Sequence, residues 1–221
     1  MASIYTEAQA ARGQIDYSRN CARCHGPNLD GGGTAPPLRF VTFLDAWRED
    51  SLNSLLQHIQ TRMPPGSAAG SLPEDQYIDI VAHILAVNEF PAGKSELTRA
   101  ALETTVLVGK DGPKPLPASA TVRVVGCLAH AADIWTLARS TAPSRVRDGS
   151  ETDPGELERS TRTPPGTQEF RLVNLDEDRK ESELLAHVTE KVQVKGVLNG
   201  QGASARIYVL SFQPLAHECG P

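Results

Sequence analysis

The chain has 221 residues, of which 39% are hydrophobic and 22% are charged, and its formal net charge is -5 at pH 7. The sequence contains no run of about eighteen apolar residues, so it offers no transmembrane helix. Its apolar content is too high for a disordered chain. The acidic balance argues against a general nucleic-acid-binding protein, which needs a basic surface. The length suits one or two domains.

The first functional motif is formed by Cys21, Cys24 and His25, which have the C-x-x-C-H spacing of c-type haem attachment. Two thiols on one helical turn can reach both vinyl groups of a porphyrin, and the adjacent histidine can then bind the iron. A thioredoxin-like dithiol needs a preceding buried strand, but the upstream sequence looks helical. A zinc site needs a second ligand pair nearby, and none follows. The motif therefore predicts one haem c.

The second axial ligand of the iron has four candidates, which are Met63, His58, His83 and Met1. Met63 is favoured, because two prolines follow it and fix the backbone of a loop that could hold a thioether on the iron. The alternative is that Met63 fills a gap in the core. His58 lies beside the apolar stripe of its predicted helix, and His83 is expected in a helix–helix contact.

The first region is predicted to be helical, with two loops around the cofactor. A helix is expected over about 6–20, and a second is expected to begin after Ser51 as its N-cap. A third helix is predicted over 74–87, where a proline opens it and a Gly/Pro segment ends it. The segment 28–37 is rich in Gly and Pro and predicts a loop, in which Gly31–Gly33 form a flexible turn beside the haem.

Residues from about Tyr5 to Leu97 resemble a class I cytochrome c domain, which is a monohaem, all-α fold. The resemblance includes Gly13, Tyr17 and Cys21, which are spaced by four residues as in the first helix of that family. In the family the glycine allows the last helix to cross closely, and the aromatic residue packs on that helix. His83 is a departure, because the family usually carries an aromatic residue there.

A narrower resemblance is to the monohaem cytochromes that accept electrons from quinoprotein dehydrogenases. The motifs that carry it are residues 35–38, Phe43, Trp47, Met63–Pro64 and 77–82. The resemblance implies that Pro36 and Trp47 belong to the haem-binding residues. It also implies His25 and Met63 as the two iron ligands.

The second region is predicted to be a small β-barrel domain. The predicted boundaries are 1–97 for the haem domain, 98–119 for a Pro/Gly-rich linker and 120–221 for the barrel. Strands are expected at 121–128, 133–138, 168–173, 191–198 and 205–212, with a short helix at 181–187. Three strands, a helix and two strands is the element order of the OB-fold. A small α+β sandwich is the alternative. The predicted fold class is thus multidomain, an all-α cytochrome c fold followed by an OB-like barrel.

A long loop is predicted at about 140–166, between the second and third strands. It contains five arginines in or beside a polar sequence, at Arg139, Arg145, Arg147, Arg159 and Arg162. One interpretation is a solvated loop, and the other is a segment that docks on the haem domain or on a neighbouring chain.

Cys127 and Cys219 are predicted to form a disulfide, because they lie on or near the first and fifth strands, which are neighbours in a closed OB barrel. Covalent haem attachment implies an oxidising compartment, where free thiols are unusual. The protein is therefore expected in the periplasm or outside the cell. Residues 1–5 do not look like a signal peptide, so a signal is expected to have been removed.

The predicted function is single-electron transfer through a His/Met-ligated haem, because no catalytic motif of the common hydrolase or nucleotide-binding kinds occurs. The expected partner is a redox protein such as a quinoprotein dehydrogenase or a terminal oxidase. Nucleic acid is not expected, because residues 98–221 carry 15 Lys or Arg against 16 Asp or Glu. The alternatives are a haem sensor or small haem catalyst with open or bis-His iron, and a self-assembling cytochrome whose copies form a haem chain.

Overall fold

A computed structural model describes residues 3–33, 35–65, 69–117, 119–150, 152, 154–175, 178–200, 202–216 and 218–219. The chain divides into two compact units, Met1–Lys114 and Pro115–Pro221. Met1, one of the predicted ligand candidates, lies outside the described residues. None of the helices in the described ranges combines the length and the hydrophobicity that crossing a membrane requires.

The first unit is helical, as predicted. Its helices are α1 (Glu7–Asn20), α2 (Ala22–His25), α3 (Phe40–Trp47), α4 (Leu52–Arg62), α5 (Glu74–Val87) and α6 (Arg99–Thr104). Ser51 caps α4 as expected, because its side chain accepts a hydrogen bond from the backbone N–H of Ser54 at 3.0 Å. Helix α3 was not predicted. Its eight residues follow a Gly/Pro-rich loop, and they bury only Phe43 and Trp47.

Helices α1 and α5 cross at Gly13, where the two backbones approach most closely. A Cβ atom at Gly13 would lie 1.8 Å from the carbonyl oxygen of Asp79. Beside the crossing, Arg12 Nε donates to the Asp79 carboxylate at 2.7 Å. Tyr17, one turn further along α1, is fully buried. The glycine at this crossing has the role that the family resemblance implies.

The segment expected to be a linker, 98–119, begins as part of the helical unit. Thr98 caps α6, and the side chains of Leu102 and Leu107 are buried in the core of the first unit. The backbone N–H of Leu107 donates to the carbonyl oxygen of Asp50 at 2.9 Å. The two leucines attach this segment because their burial removes apolar surface from water. The Gly/Pro-rich stretch 109–117 has neither helix nor strand.

The second unit is rich in β-structure. Its elements are β1 (Thr121–Ala131), β2 (Ile134–Ser140), β3 (Ser144–Arg145), α7 (Pro154–Arg162), β4 (Gln168–Val173), α8 (Asp178–Leu185), β5 (Lys191–Asn199), a 3-10 turn (Gly202–Ser204) and β6 (Arg206–Ala216). All five predicted strands and the predicted helix near 181–187 are present. β-Branched residues that alternate with polar ones form the inner faces, including Val122 and Val124 in β1 and Val192 and Val194 in β5.

The strands of the second unit form one continuous series of pairings. β1 pairs antiparallel with β2, β2 with β4, and β5 with both β1 and β6, while β4 and β6 are parallel. The short β3 pairs with β1. Following the pairings from β1 through β2, β4, β6 and β5 leads back to β1.

Two features of the second unit bear on the predictions for it. The disulfide between Cys127 and Cys219 is present, with the two Cα atoms 5.5 Å apart.

The region expected to be an irregular loop, 140–166, instead contains β3 and helix α7. Helix α7 contacts the outer side of β5 through buried polar groups, including Ser160 and Gln193. The sequence of α7 contains only one large apolar side chain, Leu157, so its composition predicts a loop.

Candidate haem site

The C-x-x-C-H motif lies where α1 ends and the short helix α2 begins. The backbone N–H of Cys21 still bonds the carbonyl oxygen of Tyr17, at 2.8 Å, and the N–H groups of Cys24 and His25 bond the carbonyl oxygen of Cys21. This tight turn brings both cysteines and the histidine to one corner of the unit. Neither cysteine takes part in a disulfide; Cys21 is half-buried and Cys24 is exposed. His25 is buried.

The ring of His25 is oriented by the loop that follows it. Its Nδ1 atom lies 2.9 Å from the backbone carbonyl oxygen of Pro36. A carbonyl can only accept a hydrogen bond, so Nδ1 carries the ring proton and Nε2 keeps its lone pair. A metal-binding histidine is characteristically held by a bond of this kind from its other nitrogen.

The loop that carries Pro36 is attached to α5 through Asn88, which is buried. The Asn88 side chain donates to the carbonyl oxygen of Leu38 at 2.9 Å and accepts from the N–H of Phe40 at 2.6 Å. On the other side, the Tyr17 hydroxyl donates to the carbonyl oxygen of Gly26 at 2.7 Å, and burial raises the pKa of this phenol. These bonds fix the start and end of the loop, and therefore the position of the carbonyl that orients His25.

One cavity brings together both thiols, the histidine and the predicted second ligand. Its lining residues are Asn20, Cys21, Cys24, His25, Ile59, Met63, Pro64, Pro65, Leu72 and Tyr77. Met63 ends helix α4, with its N–H bonded to the carbonyl oxygen of Ile59 at 3.1 Å. The lining is mostly apolar, and its possible donors are an imidazole, a thioether and two thiols. A porphyrin iron with two thioether links fits this set.

The two alternative uses of the cysteine pair fit the site less well. In the described residues no group of three or more His, Cys, Asp or Glu side chains is placed to hold a metal ion, which a zinc site needs. Burial raises the pKa of the Cys21 thiol to about 11. A reactive dithiol has a lowered thiol pKa instead, because the thiolate is its nucleophile.

The other predicted candidates lie outside this cavity. Trp47 is buried in the core of the helical unit, with its ring 5.3 Å from that of His58 in an edge-on contact. The cavity lining includes neither of them. His83 is buried between α5 and α1, with its ring 5.3 Å from that of Tyr17. The predicted helix–helix position of His83 therefore agrees with the structure.

Some lining residues were not predicted for the site. Leu72 and Asn20 carried no signal, because Leu72 is a single apolar residue in a loop and Asn20 simply ends a helix. Tyr77 belongs to the segment 77–82 that carries the family resemblance, which does not by itself place it at the haem. In the structure its hydroxyl accepts a hydrogen bond from the N–H of Leu72 at 3.3 Å, which joins α5 to the loop after Met63.

Comparison with known proteins gives a family match and a structural similarity. The family described as cytochrome c oxidase, cbb3-type, subunit III, matches residues 8–84. The N-terminal region is a cytochrome c domain. Its cofactor is therefore a covalently bound c-type haem with iron, and its chemistry is haem-based electron transfer.

A solved structure, the sulfane dehydrogenase SoxCD from Paracoccus pantotrophus, is similar to part of the chain, with 26% identity and a TM-score of 0.37. The similarity covers 48% of this chain and 57% of the SoxCD chain. The present chain therefore spans little more than half the length of that relative. No curated protein gives a significant match.

Proposed function

We propose that this protein is a single-electron carrier whose haem is bound through Cys21 and Cys24 and ligated by His25 and Met63. The observation that carries the proposal is the bond between His25 Nδ1 and the carbonyl oxygen of Pro36, which leaves Nε2 available inside a cavity that Met63 also lines. The haem supplies one-electron chemistry by alternating between its ferric and ferrous forms.

The protein's own residues determine what this haem can do. His25 and Met63 would hold the iron through an imidazole nitrogen and a thioether sulfur, which would leave no ligand position open to water or to a substrate. The neutral thioether of Met63 favours the reduced state and raises the potential. The apolar wall formed by Ile59, Leu72 and the prolines after Met63 excludes water, which acts in the same direction. A site of this kind transfers electrons and does not bind substrates.

The ligation is tested on the full-length, haem-loaded protein. The parent is expected to show the far-red methionine-to-iron charge-transfer band and no carbon monoxide binding. Met63→Ala should lose the band and bind carbon monoxide when reduced, whereas Leu72→Ala, which alters the same cavity without removing a donor, should keep the band. A parent spectrum of five-coordinate or bis-histidine iron would contradict the proposal and favour the haem sensor or small haem catalyst.

We also propose a periplasmic or extracellular location. A disulfide between Cys127 and Cys219 is stable in an oxidising compartment and unusual in the cytosol. The test is alkylation of the protein in intact cells of its source, before any reductant is added. Unmodified cysteines at both positions agree with export, and two alkylated thiols contradict it.

For the second unit we propose an OB-like barrel, over about 120–221, that serves as a docking or assembly module. The circuit of pairings from β1 back to β1, with parallel β4 and β6, supports this fold. The proposed partner is a redox protein such as a quinoprotein dehydrogenase or a terminal oxidase. Partners captured from the native source should exchange electrons with the purified protein in a reconstituted assay. Captured partners without a redox cofactor would contradict the role.

A further inference from the structure

The outer face of the second unit carries a row of polar side chains across four strands. Thr136 pairs with Arg171, Arg171 pairs with Arg206, and Arg206 pairs with Asn199. The neighbouring pair Leu172 and Ile207 is buried on the inner face. Since successive side chains of a strand point to opposite faces, the four polar residues lie together on the outer face.

Arg171 and Arg206 are the central members of this polar row. They are exposed and directly in register on adjacent parallel strands. Like charges that face each other across two strands are unfavourable. In the part of the chain that the structure describes, neither guanidinium has a carboxylate partner. This pair of forked donors is therefore available for an anion from outside the molecule, and carboxylates suit the geometry of the fork.

A second row, beside the first, is apolar. Tyr208 pairs with Val173 on one side and with Val197 on the other, and its side chain is 42% exposed. An exposed tyrosine between two valines offers a flat apolar surface with a hydroxyl, a combination that is enriched at protein interfaces.

The polar row ends at a cavity of about 820 Å3 in the same unit. Its polar lining includes Arg171, Thr136, Gln168 and Glu169, and its apolar lining includes Ile134, Phe170, Leu116 and Pro143. Ile134 is 41% exposed there, although it is a large apolar residue. A cavity of this size can hold a large apolar side chain of a partner, which is how anchor residues bind at protein interfaces.

We propose that this face, which we call the arginine platform (Thr136, Arg171, Arg206, Asn199, Val173, Tyr208 and Val197), binds an acidic segment of a partner protein. Carboxylates of the segment pair with Arg171 and Arg206, and an apolar or aromatic side chain packs on Tyr208 or enters the cavity. The inference deepens the proposed docking role of the second unit and rests on it.

The observations favour an acidic protein segment over a nucleic acid. Residues 98–221 carry 15 basic and 16 acidic residues, so this region has no excess of positive charge of the kind that binding along a phosphate backbone needs. Tyr208 is the single aromatic residue in the two rows. Proteins that bind single-stranded nucleic acid usually stack several bases on several aromatic side chains.

The test measures binding of the full-length protein to a fluorescein-labelled peptide that alternates glutamate with tryptophan, by fluorescence anisotropy. The same peptide with lysine in place of glutamate, and an oligothymidine of equal length, are the comparison probes. The glutamate peptide should bind, its affinity should fall as salt rises, and the lysine peptide should not bind. Equal binding of both peptides, or preferential binding of oligothymidine, would overturn the proposal.

Variants locate the binding on the platform. Arg171→Gln with Arg206→Gln should weaken binding of the glutamate peptide about tenfold, because two charge-assisted hydrogen bonds are lost. Arg159→Gln with Arg162→Gln removes the same charge from α7 and should leave the affinity unchanged. An equal loss in both double variants would contradict the platform. The comparison between the glutamate and lysine peptides uses only the parent protein. It therefore tests the proposal even if one of the double variants fails to fold.

Anisotropy does not depend on the ligation or the potential of the haem. A failure to bind the peptide therefore leaves the proposed electron transfer intact. Equally, a parent spectrum without the far-red band would contradict the proposed iron ligands but would leave the proposed peptide binding of the arginine platform intact.

Discussion

The Nδ1 atom of His25 lies 2.9 Å from the carbonyl oxygen of Pro36, eleven residues further along the chain. Because the acceptor is a backbone atom, the bond depends on the path of the loop and not on the side chain at position 36. Gly31 holds that path, since its φ is +80° and a Cβ atom there would lie 2.8 Å from the carbonyl oxygen of Ala35. Its N–H also bonds the carbonyl oxygen of His25, at 2.8 Å.

Gly31→Ala should therefore reduce haem incorporation. The new Cβ must displace the loop, which moves the carbonyl of Pro36 away from His25. Gly33→Ala is the matched control, because Gly33 also has a positive φ, +56°, but a Cβ there meets nothing within 4 Å. Haem per protein, measured as the pyridine haemochrome, should be several-fold lower in the first variant than in the second. Equal haem content would show that the loop does not position His25.

The close crossing at Gly13 gives a prediction for stability. A Cβ 1.8 Å from the carbonyl oxygen of Asp79 is a clash with backbone, which side-chain rotation cannot relieve. Gly13→Ala should lower the free energy of unfolding of the helical unit by about 3 kcal/mol or more, the upper range for overpacking. Gln14→Ala, at an exposed position of the same helix, should change it little. Urea unfolding followed by circular dichroism compares the two variants.

The helical unit was largely predictable because its signals are local. The C-x-x-C-H motif, the N-cap at Ser51 and the prolines after Met63 each act within a few residues. What could not be predicted depends on contacts between distant segments. The role of Pro36 lies in a backbone carbonyl, and Leu72 enters the cavity only because a loop returns there. Trp47 packs in the core with its ring against that of His58, a contact between two helices that no local pattern predicts.

In the second unit, alternation of β-branched and polar residues predicted the strands, but not α7. That helix has only Ser160 fully buried, and it is held by polar groups of β5 that are 30 or more residues away in sequence. Lys191 and Lys195 look like solvated residues in a strand pattern. Their burial depends on the carbonyl and carboxylate groups that α7 places beside them. The alternation of residues along a strand cannot predict such contacts with a distant segment.

The disulfide joins residues that are 92 positions apart, so its loss should destabilise the second unit. Cross-linking a loop of this length removes entropy from the unfolded chain, and typical bridges contribute about 2–4 kcal/mol. Replacing both Cys127 and Cys219 by serine should lower the free energy of unfolding by that amount. The haem content and the visible spectrum should not change. A variant as stable as the parent in guanidinium titrations would contradict this expectation.

Burial of His83 makes the stability of the helical unit depend on pH. Desolvation lowers the pKa of His83 below its ordinary value of 6.5, so the folded protein binds the proton less readily than the unfolded chain. Its contribution is fully present above that ordinary value and is lost as pH falls through it toward the folded pKa. Urea unfolding of the parent should show lower stability at pH 5.5 than at pH 7.5. His83→Phe, which keeps a ring against Tyr17, should show a smaller difference.

Helix α7 is attached to β5 by a buried network around Glu156. The Glu156 carboxylate lies 2.9 Å from the Lys195 ammonium, whose side chain is 3% exposed, and it also accepts from the Gln193 amide at 2.8 Å. Ser160 donates to the other side of that amide. Lys191 donates to the carbonyl oxygens of Thr161 and Thr163, both at 2.6 Å.

Glu156→Gln should release α7, because the buried ammonium of Lys195 loses the negative charge of the carboxylate that lies 2.9 Å from it. Removing one member of a buried ion pair typically costs about 3–5 kcal/mol. Limited proteolysis should then cut within 140–166 much faster than in the parent. Glu158→Gln is the matched control, since Glu158 pairs with Arg162 at the exposed side of the same helix, where an ion pair contributes about 0.5 kcal/mol. If the uncharged pair Glu156→Gln with Lys195→Met restores resistance to the protease, the buried charge is the cause. Equal cleavage of both single variants would instead mean that α7 is held by other contacts.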